Sequence, residues 1–245
     1  MVGLITVISV SAVAQTEFEK IDVGTVLTKE GIKLGIFVKP IPLPDGEWQV
    51  VNRRIEEIPL TLGGAATTPA KNIWLTLINS KASESPLFAI VMAFTPDAVP
   101  IRWNGNRNCD STSPKALVDD FGLTRDSLTN VCGKAWSLSN YKKRVSTTAE
   151  SNSKWDKDNL TALSAFLEEI PDKVLQVDVW GNKDLGRNIS FSFFIKRDGD
   201  FLADPGYAKY TKDWLHATGM SLKNVLQNDA TIFASPTPFV TQAPQ

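Results

Sequence analysis

The stretches LQVDVW at residues 175–180 and ISFSFFI at residues 189–195 decide the fold class. In both, apolar side chains recur at every second position, which is the pattern of a strand with one face in the core. The polar segment 181–187 between them contains Gly181 and Gly186 and predicts a hairpin-type connection. A connection of this length joins antiparallel strands, because parallel strands need a longer crossover.

Further strands are predicted outward from this hairpin by alternation or by apolar runs, at residues 32–38, 48–51, 73–78, 87–94 and 135–138. Apolar residues at helical spacing predict a helix that begins at Asp158 as N-cap and ends before Pro171. A second helix is predicted from Asp204 and Pro205 to Gly219, with Ser221 capping a short continuation. The sequence therefore predicts an α+β domain, mainly an antiparallel sheet, with two or three helices in its C-terminal half.

The N-terminal segment has the features of a secretory signal peptide. Residues 4–11 are mostly apolar, and the small residues Ala12 and Ala14 flank Val13 before Gln15. We expect cleavage after Ala14, a single domain over residues 15–234 and a disordered, proline-containing tail over residues 235–245. The alternative is a buried first strand. Export predicts a periplasmic or secreted protein with no transmembrane segment after cleavage.

The two cysteines, Cys109 and Cys132, form a predicted disulfide, because an even pair in an oxidising compartment is usually cross-linked. The alternative is two separately buried free thiols. The segment between them, residues 110–131, is polar and turn-rich and is predicted to be a loop. Closing such a loop stabilises a fold by roughly 3 kcal/mol in the chain-entropy model.

Composition excludes several classes of function. The 245-residue chain is 42% hydrophobic, which is enough for a core, and its formal net charge is −1. The charges are interspersed, which argues against nucleic-acid binding, and the basic run at residues 142–144 is read as a solvated strand end. Since His216 is the single histidine, sites that need two or three histidines are excluded. The sequence predicts no cofactor and no metal site.

A set of short motifs carries a resemblance. PLPDGEW at residues 42–48 precedes a predicted strand, a paired-cysteine segment follows, and DWLH at residues 213–216 lies in a predicted helix. Together they resemble a group of uncharacterised exported proteobacterial proteins that share a Gly-Glu-Trp strand and a late helix bearing Trp and His. The resemblance covers most of the mature chain. It implies export and a bacterial envelope setting, and it brings no catalytic residue.

Two candidate sites follow from the residues. His216 lies on the same side of its predicted helix as Asp213, which suggests a general base assisted by a carboxylate; the alternative is an exposed helix histidine. Trp180 falls on the strand face opposite Leu175, Val177 and Val179, together with Gln176 and Asp178, where an indole can stack on a sugar or an apolar ligand. Trp103 lies next to the disulfide segment as a further candidate.

These observations favour a non-enzymatic exported module that binds a small molecule or an envelope partner through the sheet face and the disulfide segment. The alternative is a hydrolase that uses the Asp213–His216 pair.

Overall fold

The computed structural model describes residues 20–28, 31–32, 43–62, 66–79, 88–96, 116, 118–125, 129–147, 154–183, 187–196 and 205–227. These ranges contain strands β1 (Val26–Leu27), β2 (Trp48–Leu62), β3 (Ala66–Asn79), β4 (Phe88–Pro96), β5 (Val118–Arg125), β6 (Thr129–Leu138), β7 (Val174–Lys183) and β8 (Arg187–Lys196). They also contain helices α1 (Tyr141–Ser146), α2 (Lys154–Ser164) and α3 (Pro205–Leu226). The predicted signal peptide 1–14, the predicted strand 32–38 beyond Ile32, the predicted tail 235–245, Trp103 and Cys109 lie outside the described residues.

The strands form one eight-stranded sheet in the order β1-β2-β3-β4-β8-β7-β6-β5. Every neighbouring pair is antiparallel. Two meanders, β1–β4 and β5–β8, therefore meet where β4 pairs with β8, with Val91 opposite Phe191. An antiparallel sheet with three helices, all following β6, confirms the α+β class.

Helix α3 covers one face of the sheet, which we call the first face. On β7, every second side chain faces α3, and these are the residues predicted for the core. The stacked rings of Phe191 and Phe193 on β8 belong to the same core. Burying one such side chain stabilises the fold by roughly 1.5–3 kcal/mol. The buried partners are Ile73, Leu75, Leu77, Val131, Ala135, Leu175, Val177, Val179, Ile189, Trp214, Leu215, Leu222 and Leu226.

Helices α1 and α2 pack on the opposite face, which we call the second face. Their buried residues are joined there by Ile78, Val174 and Phe194 from the sheet. Buried Asn159 of α2 also accepts hydrogen bonds from the side chains of Asn52 on β2 and Thr76 on β3. These polar bonds fix α2 over one end of the sheet.

The GEW motif has a structural role in this fold. Trp48 begins β2, is fully buried, and donates from Nε1 to the carbonyl of Pro44 at 2.8 Å. Asn79 holds the preceding turn, since its Nδ2 donates to the carbonyl of Asp45 at 3.2 Å. Gly46 has φ +142, in the region that favours glycine, so the turn needs this residue.

The predicted ends of both long helices were wrong. Helix α3 begins at Pro205 as predicted but runs through Gly219 to Leu226. A glycine in a helix interior costs about 1 kcal/mol, which the burial of Leu222 and Leu226 offsets. Helix α2 begins at Lys154, so Asp158 lies inside it, and it ends at Ser164. The chain continues to Ile170 in tighter turns, as the bond from Phe166 N to Leu163 O shows.

Two local predictions before α2 were also wrong. The predicted loop 110–131 contains β5 and the first residues of β6. The polar composition of this segment gave no strand signal. β5 lies at the end of the described strand order, and polar residues are common on edge strands. The basic run 142–144 lies in α1 rather than at a strand end, because Tyr141 and Val145 anchor that helix to the second face.

Within the described ranges, no helix combines the length and the apolar character needed to cross a membrane.

Candidate binding site on the second face of the sheet

Strands β6, β7 and β8 present a polar and aromatic surface on the second face, beyond the apolar cluster under α1 and α2. On β7, Val174 belongs to that cluster, and the following even-numbered residues share its face because side chains alternate along a strand. We call this surface the tryptophan patch: Cys132, Lys134 and Trp136 of β6, Gln176, Asp178 and Trp180 of β7, and Ser190 and Ser192 of β8.

The register of the strands arranges the tryptophan patch in cross-strand rows. Lys134 lies opposite Asp178, which lies opposite Ser192. The next row holds Cys132, Trp180 and Ser190. Directly opposed residues in an antiparallel pair have Cβ atoms about 4.5–5.5 Å apart, so the members of each row are neighbours. The sheet itself therefore positions the patch.

Asp178 is the central charged group of the patch and is 5% exposed. Gln176 Nε2 donates to its Oδ1 at 3.1 Å and to its Oδ2 at 2.9 Å. Burial raises the pKa of Asp178 from 3.8 to about 6, because a carboxylate loses its hydration in the interior. The hydrogen bonds from Ser192 and Gln176 and the charge of Lys134 act in the opposite direction.

Two tryptophans flank this carboxylate. The rings of Trp136 and Trp180 meet edge to face, with centroids 6.2 Å apart and planes at 83°. Both residues are half-buried, and so are Gln176 and Ser192. The Nζ of Lys134, a residue that is 5% exposed, lies 6.0 Å from the centroid of the Trp180 ring, within reach of a cation–π contact.

This arrangement is suited to binding. The two opposite charges are buried beside each other, while the accessible part of the patch consists of indole, amide and hydroxyl groups. Ligand sites typically combine aromatic surface with a few fixed polar groups in this way. Among the residues that the structure describes, no group of three or more His, Cys, Asp or Glu is placed to hold a metal ion.

We expect Asp178→Asn to change the pH dependence of stability. Between about pH 4 and pH 6 the folded protein retains a proton on Asp178 that the unfolded chain has released, so the wild type loses stability as the pH rises through this window. Relative to the variant, the loss is about 3 kcal/mol and stays constant above pH 6. Urea unfolding of both proteins across this range measures it. Exposed Asp172→Asn serves as the control, and a wild-type-to-variant difference that does not change with pH would contradict the assignment.

The structure separates the two candidate sites. Trp180, Gln176 and Asp178 share the second face, whereas His216 and Asp213 are exposed on α3, which covers the first face. The carboxylate of Asp213 accepts from Lys209 Nζ at 2.5 Å, one helical turn away. Asp213 is therefore paired with Lys209, whereas the hydrolase hypothesis requires its carboxylate to assist His216.

Cys132 is buried in β6, and its predicted partner Cys109 lies outside the described residues, as does Trp103.

Sequence reasoning missed Lys134, Trp136 and Ser192 as members of a site. A signal was present, because Lys134 and Trp136 alternate with Gly133 and Ala135 and so share one face of their strand. Their position beside Asp178 depends on the register between β6 and β7, which no local pattern encodes.

Comparison of the chain with protein-family models, with curated proteins and with solved structures finds no match.

Proposed function

We propose that the protein is an exported, non-enzymatic binding module of the cell envelope and that the tryptophan patch is its ligand site. One observation carries the proposal: two half-buried tryptophans stand edge to face beside a buried Lys–Asp pair on the second face of the sheet.

The folding free energy that this arrangement gives up supports a role in binding. Removing Lys134 and Asp178 from water costs several kcal/mol for each charge, and an apolar pair of similar volume is often at least as stable. Leaving Trp136 and Trp180 half-buried also gives up part of the stabilisation that full burial of an indole provides. Buried charges that cost stability, next to aromatic side chains that remain partly accessible, are typical of binding sites.

We also propose the Cys109–Cys132 disulfide. Cys132 is fully buried on the second face, opposite Trp180, and the described part of the chain contains no free cysteine. Such a disulfide would be anchored at Cys132, next to Trp180 in the cross-strand row.

Mass spectrometry of the protein purified from its native culture or envelope fraction tests export, cross-linking and binding together. We expect an intact mass without residues 1–14 and lighter by two hydrogens than the reduced chain, with an added ligand mass under native conditions. A full-length, reduced mass would contradict export and the disulfide. A mature chain that never carries a ligand would contradict the binding function.

A further inference from the structure

We propose that the tryptophan patch recognises a neutral saccharide, an inference that rests on the binding function proposed above. The bound sugar would lay one apolar C–H face against the ring of Trp180 or Trp136 and direct its hydroxyl groups toward Gln176 and Ser192.

The orientation of the hydrogen bonds determines which groups a ligand must bring. Gln176 directs both donations from Nε2 at Asp178, so its amide oxygen points away from that carboxylate. Ser192 likewise bonds to Asp178, and its hydroxyl oxygen keeps acceptor capacity. The half-buried polar groups thus donate to Asp178 and keep acceptor oxygens that these hydrogen bonds do not use. A ligand rich in hydroxyl donors satisfies them.

The charges of the patch argue against an ionic ligand. Lys134 and Asp178 are each 5% exposed and lie opposite each other in the register, so they compensate one another. An anion would have to compete with Asp178 for Lys134. A cation that stacked on Trp180 would meet the Lys134 ammonium, which lies 6.0 Å from the same ring.

The aromatic geometry fits a ring with one apolar face. The planes of the two indoles are at 83°, so a ligand ring can stack on one indole while its edge contacts the other. A purely apolar ligand would make these contacts but would leave the acceptors of Gln176 and Ser192 without donors, which costs binding free energy. A pyranose supplies apolar C–H surface and hydroxyl groups at the same time.

The test is titration of the full chain, as purified, with hexasaccharides of glucose and of N-acetylglucosamine, followed by calorimetry and saturation-transfer NMR. We expect saturable binding of at least one of them. Trp180→Ala should weaken it at least about tenfold, and Trp180→Phe should weaken it less while retaining an aromatic ring. Tyr210→Ala is the control, because Tyr210 is a half-buried aromatic residue of α3, on the opposite face of the sheet. It should leave the affinity unchanged.

The other outcomes are distinguishable. If choline or inorganic phosphate binds in a Trp180-dependent manner and the hexasaccharides do not, the saccharide class is wrong and the binding function stands. Saccharide binding that survives both Trp180 substitutions would place the site elsewhere and overturn the inference. If wild-type protein binds none of these probes, the saccharide inference fails. If it also carries no ligand from its native source, the proposed function fails as well.

Discussion

Lys134→Met lowers the free energy of unfolding by about 3–5 kcal/mol near pH 7.5, because it leaves the Asp178 carboxylate buried without its opposing charge. Gln176 and Ser192 still donate to that carboxylate, but two neutral donors replace only part of the lost interaction. Urea unfolding followed by circular dichroism measures the change. Lys173→Met, at an exposed lysine before β7, is the control and should change stability by less than about 0.5 kcal/mol.

The pH dependence separates this effect from simple repacking. Below about pH 6 Asp178 holds its proton in the wild type as well, so the attraction to Lys134 is already absent there. The loss caused by Lys134→Met should therefore be smaller near pH 5 than near pH 7.5. A loss that is the same at both pH values, or one no larger than that of the control, would show that the two charges do not compensate each other.

Removing both charges should restore much of the stability. An apolar pair, Lys134→Met with Asp178→Leu, has no buried charge to desolvate and should be more stable than Lys134→Met alone. If the double variant folds and loses ligand affinity, the charged pair is retained for recognition rather than for folding.

The alternation of residues along β7 predicted both the strand and the two faces that it separates. Leu175, Val177 and Val179 are core residues of the first face, and Asp178 and Trp180 lie on the other face. This worked because a period of two is a local property of the chain and is fixed by the geometry of the strand. The GEW motif was also placed correctly at the start of a strand, although its tryptophan serves the core.

Local sequence patterns could not predict which residues make up the candidate site, because the site depends on contacts between distant segments of the chain. Lys134 belongs to β6 and Ser192 to β8, and only the strand order brings both beside Asp178. The pairing of β4 with β8 likewise joins segments that are far apart in sequence. The missed strand β5 and the predicted break of α3 at Gly219, which the helix does not show, share a cause, since in both cases tertiary contacts outweighed a local signal.

The docking of α3 depends on two glycines of the first face. A Cβ at Gly133 would lie 2.5 Å from Leu215 Cδ1 and 2.9 Å from the backbone oxygen of Asp178. A Cβ at Gly181 would lie 2.6 Å from Leu226 Cδ1 and 2.9 Å from Leu222 Cδ2. Because these positions have no side chain, the leucines of α3 reach the strand backbone, which explains how the long helix packs closely on β6 and β7.

We therefore expect the double variant Gly133→Val and Gly181→Val to lose about 5 kcal/mol of stability, since each overpacked site costs up to about 3 kcal/mol and the two contact different leucines. Hydrogen exchange should show the amides of residues 215–226 losing protection before those of β2 and β3, because the clash acts at the helix. Ser137→Val, at a half-buried residue of β6, is the control for adding valine to the same strand. If the double variant keeps both its stability and the protection of α3, the helix does not depend on these glycines for close packing. The helix would then have to find room by shifting over the sheet.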